Sequence, residues 1–126
     1  MKPDINNRKD IELLVDTFYG KVKTNETIGY IFSDVANVDW VSHMPIMYSF
    51  WASVLLDERS YYGNAMSPHI ALSKLTPLTQ IEFDAWMILF KTTVDQLFEG
   101  EKADEAKFRA ENIARLMMHK IEMDGK

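Results

Sequence analysis

Three histidines, a tyrosine and a tryptophan hold most of the chemistry open to this chain. A neutral imidazole can bind a metal or move a proton near neutral pH. A buried tyrosine or tryptophan carries an O–H or N–H that needs a partner. His43 stands on an apolar stripe between Trp40 and Met47, and His69 follows a polar stretch and precedes Ile70 and Leu72. His119, beside Lys120, reads as a solvated surface residue. Tyr19 borders one apolar stripe and Trp86 lies in the middle of another. Each also has an ordinary reading, as a core or surface side chain hydrogen-bonded to backbone, and spacing alone leaves both open. No His-x-x-x-His or Glu-x-x-His pair occurs, which argues against a di-iron carboxylate bundle. There is no glycine-rich phosphate loop, and no spacing of Ser, His and Asp selects a hydrolytic triad.

Composition narrows the field further. A chain of 126 residues suits one domain with a core large enough to stand without staples. With no cysteine, disulfides and thiolate chemistry are excluded. The net charge of -5 argues against nucleic acid as a partner, because phosphate binding needs clustered Lys and Arg. No apolar run approaches the length of a membrane span, and the polar N-terminal stretch MKPDINNRKD has no signal-peptide core. The expectation is a soluble, cytoplasmic protein with no membrane partner. Eight Met, together with seven Phe, five Tyr and three Trp, are many for this length. Such side chains fill irregular pockets around large flat ligands, and they also fill ordinary cores.

The elements that must position these residues are helices. Ile11, Leu14, Val15, Phe18 and Val22 recur at helical spacing and predict an amphipathic helix over roughly residues 8–23. Trp40, His43, Met44, Met47, Phe50, Trp51, Val54 and Leu55 share one face of a second, over residues 39–56, which Pro45 is expected to break or kink near its start. Residues 57–67 read as a loop. Ser67-Pro68-His69 then reads as an N-cap, a first-turn proline and a very short helix to about Leu75, ended by Thr76-Pro77. Thr79-Gln80-Ile81-Glu82 is a capping box. The helix after it buries Phe83, Trp86, Met87, Phe90, Val94 and Leu97 and stops at Gly100 as a C-terminal cap. A last helix starts near Asp104 and buries Ala106, Ala110, Ile113, Ala114, Met117 and Ile121. The fold class is all-α, with about five helices and no strand.

The order of the residues adds specificity. Phe18-Tyr19, Ile31-Phe32, Trp40-Val-Ser-His43-Met-Pro45-Ile-Met47 leading into Phe50-Trp51, Pro68-His69-Ile-Ala-Leu72, and Phe83-Asp84-Ala-Trp86 leading to Phe90 follow one another along the chain. This set resembles the truncated haemoglobins, and within them the third group, over about residues 10–117. His43-Met-Pro45 with Phe50-Trp51, and Phe83-Asp84-x-Trp86, carry the assignment to that group; the Gly-Gly pairs usual in the other two are missing. Pro45 agrees with the family pattern. The resemblance implies a truncated globin-like two-over-two helical sandwich around a haem, as one domain over residues 1–126.

The resemblance also implies roles. His69 matches the proximal histidine that binds the haem iron. Tyr19 and Trp86 match distal-pocket donors, and His43 matches the distal histidine, which bonds the ligand or gates access to it. Phe32 matches the aromatic that wedges against the haem face. Met47, Phe50, Leu72 and Phe90 would line the apolar walls, and Arg59 and Lys74 are candidates for the propionates by location. The implied cofactor is haem b. The implied ligands are dioxygen, nitric oxide, carbon monoxide or similar small molecules, with an electron donor that the sequence does not name. Two donors aimed at a bound ligand in a dry pocket would slow its release. That favours redox chemistry on the ligand, such as nitric oxide oxidation or peroxide activation, over delivery. Non-catalytic oxygen or nitric oxide binding or sensing is a second reading, and a non-haem helical interaction module is a third.

Overall fold

The computed structural model describes residues 2–31, 40–56 and 78–124. Within them the chain forms four α-helices: α1 (Arg8–Thr24), α2 (Trp40–Leu55), α3 (Gln80–Leu97) and α4 (Glu101–Asp124). The expected loop, Ser67 cap and short helix around Pro68 lie outside the described residues.

Helix α1 starts where Asn7 accepts from the Asp10 N–H while the Asp10 carboxylate accepts from the Asn7 N–H, a reciprocal box that satisfies free first-turn donors. All five residues of its expected stripe are buried, Ile11, Leu14 and Val22 completely. After α1, the Asn25 side chain accepts from the Thr27 and Ile28 N–H groups, and this turn drives Ile28 and Ile31 into the core. Helix α3 starts at the expected box, Thr79 with Glu82. Its interior face includes Thr93, fully buried, whose hydroxyl donates to the Leu89 carbonyl at 2.7 Å. That bond removes the cost of burying the hydroxyl.

Helices α1 and α2 pack together, as do α3 and α4, and the pairs meet through α1 against α3 and α2 against α4. Both pairs are antiparallel. Lys91 bonds Glu111 and Asp95 bonds Lys107 across α3 and α4, while Arg8 reaches Ser49 and Tyr19 meets His43 across α1 and α2. On α4 the buried residues are Ala103, Ala106, Ala110, Ala114 and Met117, a stripe whose small side chains let α3 approach closely.

Two local expectations are corrected. Helix α2 continues through Pro45 without a break. The residue four positions back, Val41, is 86% exposed, so the turn that Pro45 disturbs lies at the surface rather than against a packed neighbour. Gly100 is not the end of α3, which closes at Leu97 with Phe98 as cap; it stands just before α4, which begins at Glu101 rather than near Asp104. Gly100 has φ +140°, and a Cβ there would lie 2.6 Å from the Asp4 carboxyl carbon. The Asp4 carboxylate occupies the space of the missing side chain. It accepts from the amides of Lys102 (3.0 Å) and Ala103 (2.9 Å), and so caps α4 from the far end of the chain. The Glu99 N–H donates to the Pro3 carbonyl beside it, and Ile5 is buried in the core beneath.

Candidate functional site

The inward face of α1 carries Phe18 and Tyr19 side by side, with ring centroids 4.9 Å apart. Because α2 runs antiparallel to α1, residues one turn apart on each helix meet in reverse order. Tyr19 faces His43 at 5.4 Å and Trp40 at 5.5 Å, and Trp40 and His43, three positions apart on α2, are 5.8 Å apart. The two contacts involving His43 are nearly perpendicular, at 87° and 84°, the edge-to-face geometry that aromatic rings prefer. Lys23, one turn beyond Tyr19, places its ammonium 4.4 Å from the centroid of the Trp40 ring.

Helix α3 adds the third part. Trp86 packs edge-on to Phe18 at 5.8 Å and stacks on Phe90 at 5.7 Å. Phe90 in turn stacks on Trp51 of α2 at 4.9 Å, so that Trp86, Phe90 and Trp51 form one nearly parallel series through the interior. Met47 and Phe50 are half-buried and pack against the same core, with Phe50 edge-on to Trp51. Of the nine expected site residues, six therefore come together in one aromatic cluster built from α1, α2 and α3: Tyr19, His43, Met47, Phe50, Trp86 and Phe90. His69, Phe32 and Leu72 lie outside the described residues, as do Arg59 and Lys74.

Tyr19 is 5% exposed, and burial pushes its hydroxyl above the ordinary phenol range. It stays protonated throughout the working pH of any cell and is thus a standing donor. The Nε2 atom of His43 is likewise shielded from solvent. His119 is exposed, as expected. A separate groove of about 440 Å³ opens between α3 and α4, lined by Phe83, Met87, Ile88, Lys91, Glu111 and Met118 among others. Its lining shares no residue with Tyr19, His43, Trp86 and the rings around them. The presence of hydroxyl-, imidazole- and indole-bearing side chains in one aromatic cluster marks it as the candidate site.

No family model matches the chain. A curated group 3 truncated haemoglobin of Campylobacter jejuni is 30% identical over 117 residues, covering 90% of each chain. The chain belongs to the group 3 truncated haemoglobins. The crystal structure of a group III truncated haemoglobin from the same organism superposes with a TM-score of 0.83 at 29% identity, over 96% of this chain and 95% of that one. The fold is accordingly all-α and globin-like. Membership in this group makes the protein a haem globin that binds gaseous ligands. The donor set suits a haem pocket. The Tyr19 hydroxyl, the His43 imidazole and the Trp86 indole are embedded among Phe18, Phe90, Met47 and Phe50, and a porphyrin face needs such apolar walls with few, well-placed polar groups.

Reading the sequence missed Trp40 and Lys23 as members of this cluster. The signal was there in spacing alone: Trp40 lies three residues before His43, and Lys23 four after Tyr19, so each shares a helix face with its neighbour.

Proposed function

We propose that this truncated haemoglobin performs redox chemistry on its small ligand, such as nitric oxide oxidation by dioxygen or activation of peroxide. In this reading His69 holds the iron of haem b, Phe32 and Leu72 join Met47, Phe50 and Phe90 in the walls, and Tyr19, Trp86 and His43 meet the ligand. The haem, when bound, supplies the iron at which the ligand binds and through which electrons pass. The protein supplies oriented donors in a dry space, where a hydrogen bond to developing negative charge counts for more than in water. The observation that carries the reading is that His43 packs on Tyr19 and Trp86 on the adjacent Phe18 of α1, which gathers a hydroxyl, an imidazole and an indole side chain into one aromatic cluster. Two or three donors around one ligand slow its release, which suits reaction better than delivery. Turnover draws electrons from an external donor.

The test begins with absorption spectra of the ferric, reduced and carbon-monoxide-bound protein. A Soret band that shifts in each state is expected, and its loss in His69→Ala supports the iron ligand. Tyr19→Phe and Trp86→Phe should each speed oxygen release by a factor corresponding to about 1–3 kcal/mol for a buried donor lost. Repeated consumption of nitric oxide or peroxide by reduced protein, given a reductant, separates catalysis from binding alone. Unchanged release in both variants would sink the distal roles.

A further inference from the structure

Tyr19, His43 and Trp40 form a closed triangle of rings, with sides of 5.5, 5.4 and 5.8 Å. Its corners come from two helices, and each ring rests on the other two. Tyr19 is at the buried corner; Trp40 and His43 are half-buried. The imidazole of His43 meets both other rings nearly edge-on, at 87° to Tyr19 and 84° to Trp40, so a change of its orientation alters both contacts at once. Trp40 itself is held from α1 by Lys23, whose ammonium sits over its face at 4.4 Å. Lys23 and Tyr19 occupy successive turns of α1, and Trp40 and His43 successive turns of α2. The two helices therefore grip one another through a pair of stacked contacts, one polar and exposed, one aromatic and internal. A cation held over an indole face is favourable by electrostatic attraction to the ring quadrupole, and the energy is small enough to be broken and remade thermally.

From this geometry we infer that Trp40, pinned by Lys23, is a positioning residue that holds the Tyr19 and His43 side chains in one arrangement toward the ligand. This inference rests on the distal roles proposed above. Trp40 sets no bond of its own to the ligand. It acts by limiting the number of orientations its two neighbours sample, so removing it multiplies ligand environments rather than deleting a donor. Trp40→Phe keeps a flat ring in the triangle, and Lys23→Gln keeps the length of the side chain while removing the charge over the indole.

The carbon–oxygen stretch of carbon monoxide on the haem-loaded protein reads this directly, because each arrangement of donors around the ligand gives its own frequency. The unsubstituted protein is expected to show one dominant band. Trp40→Ala should split it into two or more of comparable intensity, Trp40→Phe should restore the single band, and Lys23→Gln should give an intermediate pattern. A structural role alone would lower stability without splitting the band. Relaxation-dispersion NMR of the Tyr19 and His43 rings in the full chain without added haem is the second readout, with ring exchange expected to rise in Trp40→Ala and Lys23→Gln. If Trp40→Ala does not fold, Lys23→Gln decides: Lys23 is exposed, so its substitution leaves the fold in place. A native band pattern and native ring exchange in the folded variants would overturn the inference. Absence of a Soret band in the unsubstituted protein would overturn the functional reading instead, and ring exchange would then decide the positioning role by itself.

Discussion

Replacing Asp4 with alanine should destabilise the protein by about 2 kcal/mol, the upper end of the range for losing a helix N-cap. The figure follows from what the carboxylate does. It accepts from Lys102 and Ala103, the second and third residues of α4, at 3.0 and 2.9 Å, and from Ile5 at 2.8 Å. A hydrogen bond to a charged acceptor contributes about 1.5–3 kcal/mol when its loss strands the donor. Here water can reach the half-buried corner and recover part of that, which brings the sum down to about one strong bond. For a domain of this size the melting temperature should fall by roughly 6–10 °C. Asp4→Asn retains an acceptor but not the charge facing the helix dipole, and should cost about 0.5–1 kcal/mol. The acid dependence provides the internal control. Burial alone would raise the Asp4 carboxyl, but the amides of Lys102, Ile5 and Ala103 and the charge of Lys102 outweigh it and hold the group below the ordinary carboxylate range. The contribution is therefore complete above the unfolded carboxyl pKa and disappears as pH falls through the lower folded value. Urea unfolding of wild type and Asp4→Ala across an acid series should show curves that converge on acidification. A difference below about 0.5 kcal/mol near neutrality, or one independent of pH, would refute the assignment of Asp4 as the cap of α4.

Other expectations are open to the same assays. Gly100→Ala should be destabilising because of its φ of +140° and the Asp4 carboxyl carbon 2.6 Å from the new Cβ; in an Asp4→Ala background the steric part of that loss should vanish while the backbone strain persists, a coupling that a double-mutant cycle resolves. Gly20→Ala, mid-helix on the exposed side of α1 with nothing within 4 Å of the added methyl, should raise stability by about 0.5–1 kcal/mol in denaturant titrations. Thr79→Ala removes one half of the α3 box and should cost about 1 kcal/mol in thermal melts; burial pushes the Glu82 carboxyl up, but its bonds to Thr79 bring it below the ordinary range, so the box too weakens as pH falls through that lowered value. Thr93→Val keeps the shape of a fully buried side chain whose hydroxyl donates to the Leu89 carbonyl, and chemical denaturation should register a change of less than about 1.5 kcal/mol.

Helix periodicity made most of the framework legible. The stripe from Ile11 to Val22 buries as spaced, and the box at Thr79 starts α3 where its pattern placed it. Residues whose chemistry is local to one helix face were also readable, which is why Tyr19, His43 and Trp86 could be named before their contacts were known. Interactions between distant segments were not readable. Nothing near Gly100 announces that its cap is Asp4, because the bond joins residues 99 apart, Asp4 to Ala103, and a glycine before a helix reads equally well as the end of the preceding one. Of the break or kink expected at Pro45, the break does not occur, for a related reason: a proline's penalty depends on whether the affected turn lies at the surface, and exposure is a property of the folded molecule. Trp40 was visible as an apolar residue, but its partnership with Lys23 needed the antiparallel setting of α1 and α2.

The distribution of the three tryptophans gives the molecule an optical readout of its own occupancy. Trp51, buried, and Trp86, half-buried, stand at the two ends of the stacked series with Phe90 between them, while Trp40 sits half-buried beneath an ammonium group, so the three indoles emit from different surroundings. In the proposed site all three belong to the cluster that would face the haem. A strongly absorbing porphyrin within the same small domain would accept their excitation energy, and the chain's intrinsic fluorescence should then fade in proportion as it fills. The protein needs no added dye to report how much of it is loaded.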